Sequence, residues 1–276
     1  MRKSYMRVAH EVIQKSDVVI QVLDARLIEQ TVNPELRRQI ELLQKRVITA
    51  ITKCDLVSKE YLDAKVKELP NAVYVSSKKR FGFKKLRELI YKVAAKNKSK
   101  QIKVGVVGYP NTGKSSLINT LKGKTSAPVS SQSGMTKGEQ KIRVSSRVML
   151  LDTPGVIPID ENDSVLMALI ASKNPDRLKD PDLVAMKILQ MLFDQGYLSQ
   201  IEQKYDITIT TQDAYEVLEI IAIKRNRVIK GGEPDILTIS RQLIHEWQKG
   251  TLVTFEQIGE YLEEESQYDD LEEEDD

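Results

Sequence analysis

Cysteine is almost missing from this sequence. A single Cys54 in 276 residues excludes an intramolecular disulfide and fits a reducing compartment. Long apolar runs are missing too, since none approaches the ~18 residues that a membrane span requires. The opening segment, Met1-Arg2-Lys3-Ser4-Tyr5, leads into a charged amphipathic stretch without the apolar centre of a secretory signal. Internal repeats are absent. These absences predict a soluble, cytoplasmic protein with no membrane partner. Hydrophobic residues at 41 % and charged residues at 30 % are an ordinary globular balance. The length suits one domain of usual size with a smaller one attached.

The net charge of +2 hides a strong asymmetry. Residues 1–156 hold 31 Lys/Arg against 13 Asp/Glu, whereas residues 157–276 hold 11 against 27. So basic a first half is an electrostatic footprint for a polyanion. A nucleotide triphosphate needs only a few of those charges, so the excess points to RNA or to a solvated lysine-rich surface.

Six short runs rich in Val, Ile and Leu read as strands: 18–23, 47–51, 72–75, 102–107, 139–144 and 148–151. Amphipathic helical patterns fall between most of them, at 2–15, 34–45, 58–69, 83–97 and 114–122. Alternation of this kind predicts an α/β fold with a mostly parallel, six-stranded sheet covered on both faces. The last two runs are separated only by Ser145-Ser146-Arg147, which predicts a hairpin and hence one antiparallel edge. After Gly155 strand signals stop, and helical patterns follow at 161–173, 181–194, 197–204, 211–225 and 233–249. The expected organisation is an α/β domain over 1–158, a small all-α domain over 159–262 and an acidic tail over 263–276. Ten of the 14 tail residues are Asp or Glu, a composition that predicts disorder.

Gly108-Tyr109-Pro110-Asn111-Thr112-Gly113-Lys114-Ser115 matches the P-loop pattern G-x-x-x-x-G-K-[ST], placed between a strand and a helix as that motif requires. Its glycines let backbone N–H groups, including those of Asn111, Thr112, Gly113 and Ser116, face phosphate oxygens. Lys114 places a positive charge at the β/γ-phosphates, and the Ser115 hydroxyl is a Mg²⁺ ligand. Thr52-Lys53-Cys54-Asp55, at the end of the second strand run, matches N/T-K-x-D. In that motif the Asp accepts from the N–H pair on the guanine edge, which adenine lacks. The Lys53 stem would cover one face of the base. Ser76-Ser77-Lys78 is similar to the S-A-K loop that offers a backbone N–H to guanine O6. Either tetrapeptide alone could be a helix cap; together, each behind a strand, they select GTP/GDP over ATP. Asp152-Thr153-Pro154-Gly155 matches D-x-x-G, with Asp152 reaching Mg²⁺ through water and the Gly155 N–H meeting the γ-phosphate. Between them, the Ser/Gly-rich stretch 123–138 is the expected phosphate-sensing switch. Thr136 is its leading Mg²⁺ ligand, with Thr125, Ser130 and Ser133 as alternatives. Asp24, Thr52, Ser76, Gly108 and Asp152 all fall just beyond strand ends, where open α/β sheets bind ligands.

The order of these motifs is unusual. Base-reading Asp55 and Ser77 come before the P-loop, Thr136 and Asp152 after it. With Asp24-Ala25-Arg26 behind the first strand, this order resembles the circularly permuted ribosome-assembly GTPases of the YlqF type. The likeness extends through Ala222-Ile223-Lys224-Arg225-Asn226-Arg227 and Lys230-Gly231-Gly232-Glu233-Pro234-Asp235, covering nearly all of 1–255. The resemblance implies GTP hydrolysis linked to maturation of the large ribosomal subunit, rRNA contact by the helical domain, and a monomer off the ribosome. A GTP-gated regulator of a non-ribosomal RNA would share every motif. Thr52 departs from the family's Asn, a change expected to weaken guanine affinity without removing specificity. Some members carry a Pro-Gly-His segment before the first helix. Residues 1–276 contain none, and His10, within a helix pattern, is expected at the surface.

Val156 stands where many GTPases place a water-orienting Gln, so hydrolysis by the chain alone should be slow and stimulated by a ribosomal partner. Asn111 resembles the K⁺ ligand of cation-activated GTPases; alternatively it only stabilises the loop. Lys114, Thr136, Gly155 and Asn111 are thus the expected catalytic set. Lys224, Arg225, Arg227 and Lys230 are the candidate contacts to RNA phosphates, or else a solvated helix end.

Overall fold

The computed structural model describes residues 2–69, 71–95, 101–122, 140–153 and 164–253. They form two compact units, one ending with residue 153 and one beginning with residue 164.

The first unit is a six-stranded sheet in the order β3-β2-β1-β4-β6-β5. Its strands are β1 (Val18–Asp24), β2 (Arg46–Thr52), β3 (Ala72–Val75), β4 (Ile102–Gly108), β5 (Gln140–Arg143) and β6 (Val148–Asp152). All neighbours are parallel except β5 and β6. The hairpin and the antiparallel edge expected from the sequence are therefore present. The chain runs outward from β1 to β3, then returns to β4 on the other side of β1. That reversal puts a switch point between β1 and β4, where carboxyl ends diverge and leave a crevice.

All seven residues of β1 are buried, which is why it reads as a continuous apolar run rather than an alternating one. Val18, Ile20 and Val22 share a core with Phe83, Leu86 and Ile90 of α5 (Phe83–Ala94) and Leu117 and Ile118 of α6 (Lys114–Lys122). On the other face, Val19 meets Ala9 and Ile13 of α1 (Arg2–Lys15) and Leu36 and Ile40 of α3 (Pro34–Leu42). Asn33 caps α3 through the N–H groups of Glu35 and Leu36, with Pro34 in the first turn as helix starts favour. Between β1 and α3 lies α2 (Ile28–Thr31), and α4 (Lys59–Glu68) joins β2 to β3. His10 on α1 is half-buried, not the surface residue expected, because α1 lies with its apolar stripe against the sheet.

Four strands run one residue further than their apolar runs, to Asp24, Thr52, Gly108 and Asp152. The ladder register pairs Asp24 with Thr52 and Val106 with Asp152. These polar residues are thus the last rungs of the sheet rather than the first residues beyond it.

The second unit is helical: α7 (Ser164–Leu169), α8 (Pro181–Asp194), α9 (Leu198–Tyr205), α10 (Ala214–Lys224) and α11 (Ile236–Lys249). Its core includes Val184, Ile188 and Leu192 of α8, Val217 and Ile221 of α10, and Ile239, Leu243 and Trp247 of α11. Buried Trp247 donates its indole N–H to Leu169 O at 3.0 Å, so its one polar atom is satisfied. No helix among the described residues is long and apolar enough to cross a membrane.

Candidate functional site

The loop from β4 to α6 begins at a close approach. A Cβ on Gly108 would stand 2.6 Å from Val22 O, so only glycine lets the chain leave β4 so near β1. Asn111 (φ 58) and Gly113 (φ 91) take left-handed conformations, curling the backbone into a concavity whose N–H groups suit an anion. The Thr112 hydroxyl donates to Tyr109 O at 2.9 Å, and Lys114 Nζ donates to the same carbonyl at 2.5 Å. The ammonium is therefore folded into its own loop and is 6 % exposed. Burial lowers its pKa to about 8, with Asp152 pulling the other way. Ser115 is exposed and Ser116 half-buried on the first turn of α6.

Thr52 fastens β2 to this loop. Its hydroxyl lies 2.9 Å from Leu23 O and 2.5 Å from Thr112 O, sharing one proton between two carbonyls. Gly113 packs against it, for a Cβ there would come within 3.3 Å of Thr52 Cβ. The next turn, Cys54–Leu56, places Asp55 in a buried position. Its carboxylate accepts from Ser76 Oγ at 2.6 Å, and Ser76 Oγ accepts from the Lys79 N–H at 3.1 Å. The two base-reading tetrapeptides, 21 residues apart, are thus hydrogen-bonded to each other. Ser77 is half-buried and Lys78 exposed.

Asp24 forms the third part of this end of the sheet. It receives Arg26 Nη2 at 2.8 Å and Lys53 Nζ at 2.6 Å on Oδ2, and Arg26 Nε at 3.0 Å on Oδ1. The Arg26 and Asp24 side chains are 5 % and 2 % exposed. Burial alone would raise the Asp24 pKa, but the charges and hydrogen bonds of Arg26 and Lys53 outweigh it and hold the carboxyl well below its ordinary value. Lys53, in a left-handed conformation, is pulled the opposite way, its pKa lowered by burial and by Arg26 against the attraction of Asp24. The sequence motif offered no hint that a carboxylate 29 residues upstream anchors this lysine.

Asp152 ends β6, and the Thr153 hydroxyl locks the following turn to Val106 O at 2.8 Å. Burial raises the Asp152 pKa, while Lys114 and the Thr153 N–H lower it. Its buried Oδ1 has no hydrogen-bond partner among the described residues, an expensive arrangement unless a ligand completes it. An unpaired carboxylate oxygen with the exposed Ser115 hydroxyl is a hard-oxygen donor set that fits Mg²⁺. No group of three or more His, Cys, Asp or Glu placed for a metal exists among the described residues. Mg²⁺ fits that sparseness, because it retains waters and phosphate oxygens beside one or two protein ligands. Thr136, Gly155 and Val156 lie outside the described residues.

In the helical unit, the four candidate RNA contacts differ. Lys224 is paired with Asp206 at 2.7 Å. Arg225 lies over the Tyr205 ring at 5.2 Å and donates to Lys204 O at 3.3 Å. Arg227 and Lys230 are exposed on the tight connection to α11, which is closed by Ile229 N–H to Glu233 O at 2.9 Å.

Comparison with known proteins agrees with this architecture. Residues 103–225 match the 50S ribosome-binding GTPase family. The GTP-binding protein MJ1464 of Methanocaldococcus jannaschii is 39 % identical over 251 residues, 89 % of this chain. Nucleolar GTP-binding protein 2 of Saccharomyces cerevisiae is 35 % identical over 255 residues, again 89 %. The chain spans 65 % of the length of the first and 51 % of the second. The crystal structure of GNP-bound YlqF from T. maritima superposes with a TM-score of 0.55 at 23 % identity, covering 91 % of this chain and 96 % of that one. The strand order, the motif order and these matches together establish that the chain carries a circularly permuted P-loop G domain of the 50S ribosome-binding GTPase family.

Proposed function

We propose that this protein binds GTP and GDP with Mg²⁺, hydrolyses GTP to GDP and phosphate, and uses its nucleotide state to control contact with rRNA in the large ribosomal subunit or its precursor. The observation that supports this most is the Thr52 hydroxyl bonded to Thr112 O. It joins a purine-reading segment to a phosphate-binding loop 60 residues away, making one composite site. The names of the relatives, nucleolar GTP-binding protein and 50S ribosome-binding GTPase, supply the ribosomal part of the reading.

In this mechanism Asp55 releases Ser76 Oγ as its sole partner and accepts from the guanine edge. Asp24 and Arg26 hold Lys53 so that its aliphatic stem can cover the base. The P-loop N–H groups take the phosphates, and Lys114 exchanges the Tyr109 carbonyl for β/γ-phosphate oxygens. Ser115, Asp152 and Thr136 would hold Mg²⁺, which neutralises charge building on the phosphates. The Gly155 N–H orients the γ-phosphate. With Val156 unable to bond water, turnover is slow until a ribosomal partner completes the site, and Asn111 positions K⁺ in place of an arginine finger. Because the chain leaving Gly155 enters the helical unit directly, a γ-phosphate contact biases the helical unit's RNA affinity.

Co-sedimentation with large ribosomal subunits, in GDP or in a non-hydrolysable GTP analogue, tests the reading. Binding that depends on the analogue supports it; equal sedimentation in both states overturns the nucleotide control. Turnover equal in KCl and NaCl, with and without ribosomes, would remove K⁺.

A further inference from the structure

A cleft of about 550 Å³ opens beside α11 in the helical unit. Arg241, His245 and Lys249 line it at i, i+4 and i+8 spacing, one face of one helix. Arg227 and Lys204 reach the same space. The cleft also holds two carboxylates, and both are engaged. Glu246 accepts from Tyr205 Oη at 3.0 Å and Gln242 Nε2 at 3.0 Å, with Lys204 Nζ at 3.7 Å. Asp176 lies 3.1 Å from His245 Nε2.

Arg227, Arg241 and Lys249 form no ion pair among the described residues. Arg241 Nε is buried without a hydrogen-bond partner there, and Nη1 reaches only Leu237 O, at 3.4 Å. A guanidinium held in a cleft and met by no carboxylate presents a planar donor fork, which matches two oxygens of a phosphate.

Two features argue against a merely solvated surface or a protein partner. Residues 157–276 are strongly acidic, with 11 Lys/Arg against 27 Asp/Glu, yet four of those 11 line this one cleft. Its lining has no aromatic or aliphatic anchor of the kind that dominates protein–protein contacts.

We infer that this cleft takes a backbone phosphate of RNA on Arg241, Arg227 and Lys249, and that the contact face lies along α11 rather than on Lys224 and Arg225. The inference rests on the RNA-binding reading above and assigns its site.

The test uses the full chain and a fluorescein-labelled RNA hairpin, followed by anisotropy over a series of KCl concentrations. The Arg241→Gln/Lys249→Gln variant should weaken binding about tenfold and reduce the salt slope by about two, one for each lost phosphate contact. Lys224→Gln/Arg225→Gln should change affinity less than about twofold by the same reasoning. GDP binding and the melting curve confirm that both variants fold. The chain has only two histidines, so ring proton NMR gives a direct report: saturating RNA should move His245 and leave His10 in place. Inorganic phosphate alone should move His245 weakly; a shift as large as that produced by RNA would assign the cleft to free phosphate instead. If wild type binds no hairpin, the RNA reading itself fails and the cleft assignment with it. If wild type binds but the Arg241/Lys249 variant keeps its affinity and slope, or His245 does not move, only the cleft assignment is overturned.

Discussion

Replacing Lys114 with methionine isolates the cost of holding a cation ready for a ligand. The ammonium is buried with one carbonyl for company, and its pKa falls from 10.5 to about 8. At 1.36 kcal/mol per pKa unit, that gap disfavours the folded, charged state by about 3 kcal/mol below pH 8. Methionine removes this cost and gives up the bond to Tyr109 O, worth ~1 kcal/mol. The nucleotide-free variant should therefore be more stable than wild type at pH 7 by about 2 kcal/mol, raising the G-domain transition by roughly 4–8 °C. The pH dependence has a definite sign. Between pH 8 and 10.5 the unfolded chain keeps a proton that the folded chain has lost, so wild type gains stability as pH rises through that window, and the variant does not. Differential scanning calorimetry on nucleotide-stripped protein measures the difference. Fluorescence of Trp247, the single tryptophan, reads the helical unit as an internal control. Adding GDP and Mg²⁺ should invert the order, since ligand at a hundred times Kd stabilises wild type by about 2.7 kcal/mol and leaves the variant unchanged. A Lys114→Met transition at or below that of nucleotide-free wild type would refute the reasoning.

Other outcomes follow from the same geometry. Asp24→Asn removes the charge that anchors Arg26 and Lys53; GDP should dissociate faster in stopped-flow fluorescence while Mg²⁺ dependence is retained. Because the Asp24 pKa is depressed, its contribution is present above pH 3.8 and lost as pH falls below that value, so wild type should lose its stability advantage over Asp24→Asn on acidification. Thr52→Val keeps the shape but removes the hydroxyl shared by Leu23 O and Thr112 O; the loss should cost about 1–2 kcal/mol in denaturant melts and weaken GDP binding. Ser115→Ala should reduce Mg²⁺-dependent affinity far more than affinity measured in EDTA; equal losses in both would contradict its assignment to the metal.

Most of the fold was legible because its signals are local. Each parallel strand is a buried apolar run bounded by a helix pattern, and Ser145-Ser146-Arg147 is too short for anything but a hairpin. The P-loop was legible for the same reason, its glycines and lysine being contiguous. The short turns at Ala25–Leu27 and Cys54–Leu56, and α2, left no mark, since three or four residues cannot display a helical period. What reasoning along the chain missed was long-range. Thr52 meets Thr112 across 60 residues, and Asp24 meets Lys53 across 29; motif spacing encodes neither. Thr52 had appeared only as a departure from Asn, whereas the fold makes it a fastener between two loops. The expected RNA cluster was chosen from adjacent cations in the sequence. In three dimensions Lys224 is already paired, and the cations without partners are dispersed along α11 at a helical period that could have disclosed them.

The central claim, one composite site that reads guanine and grips a triphosphate, is tested most directly by titration calorimetry. GDP, a non-hydrolysable GTP analogue and the matching ATP analogue are titrated with Mg²⁺ into wild type and Asp55→Ala. The account predicts that wild type prefers guanine by about a hundredfold or more, and that the variant loses the preference because one carboxylate makes both base contacts. Equal affinity for the ATP analogue, or a preference that survives in Asp55→Ala, would contradict it.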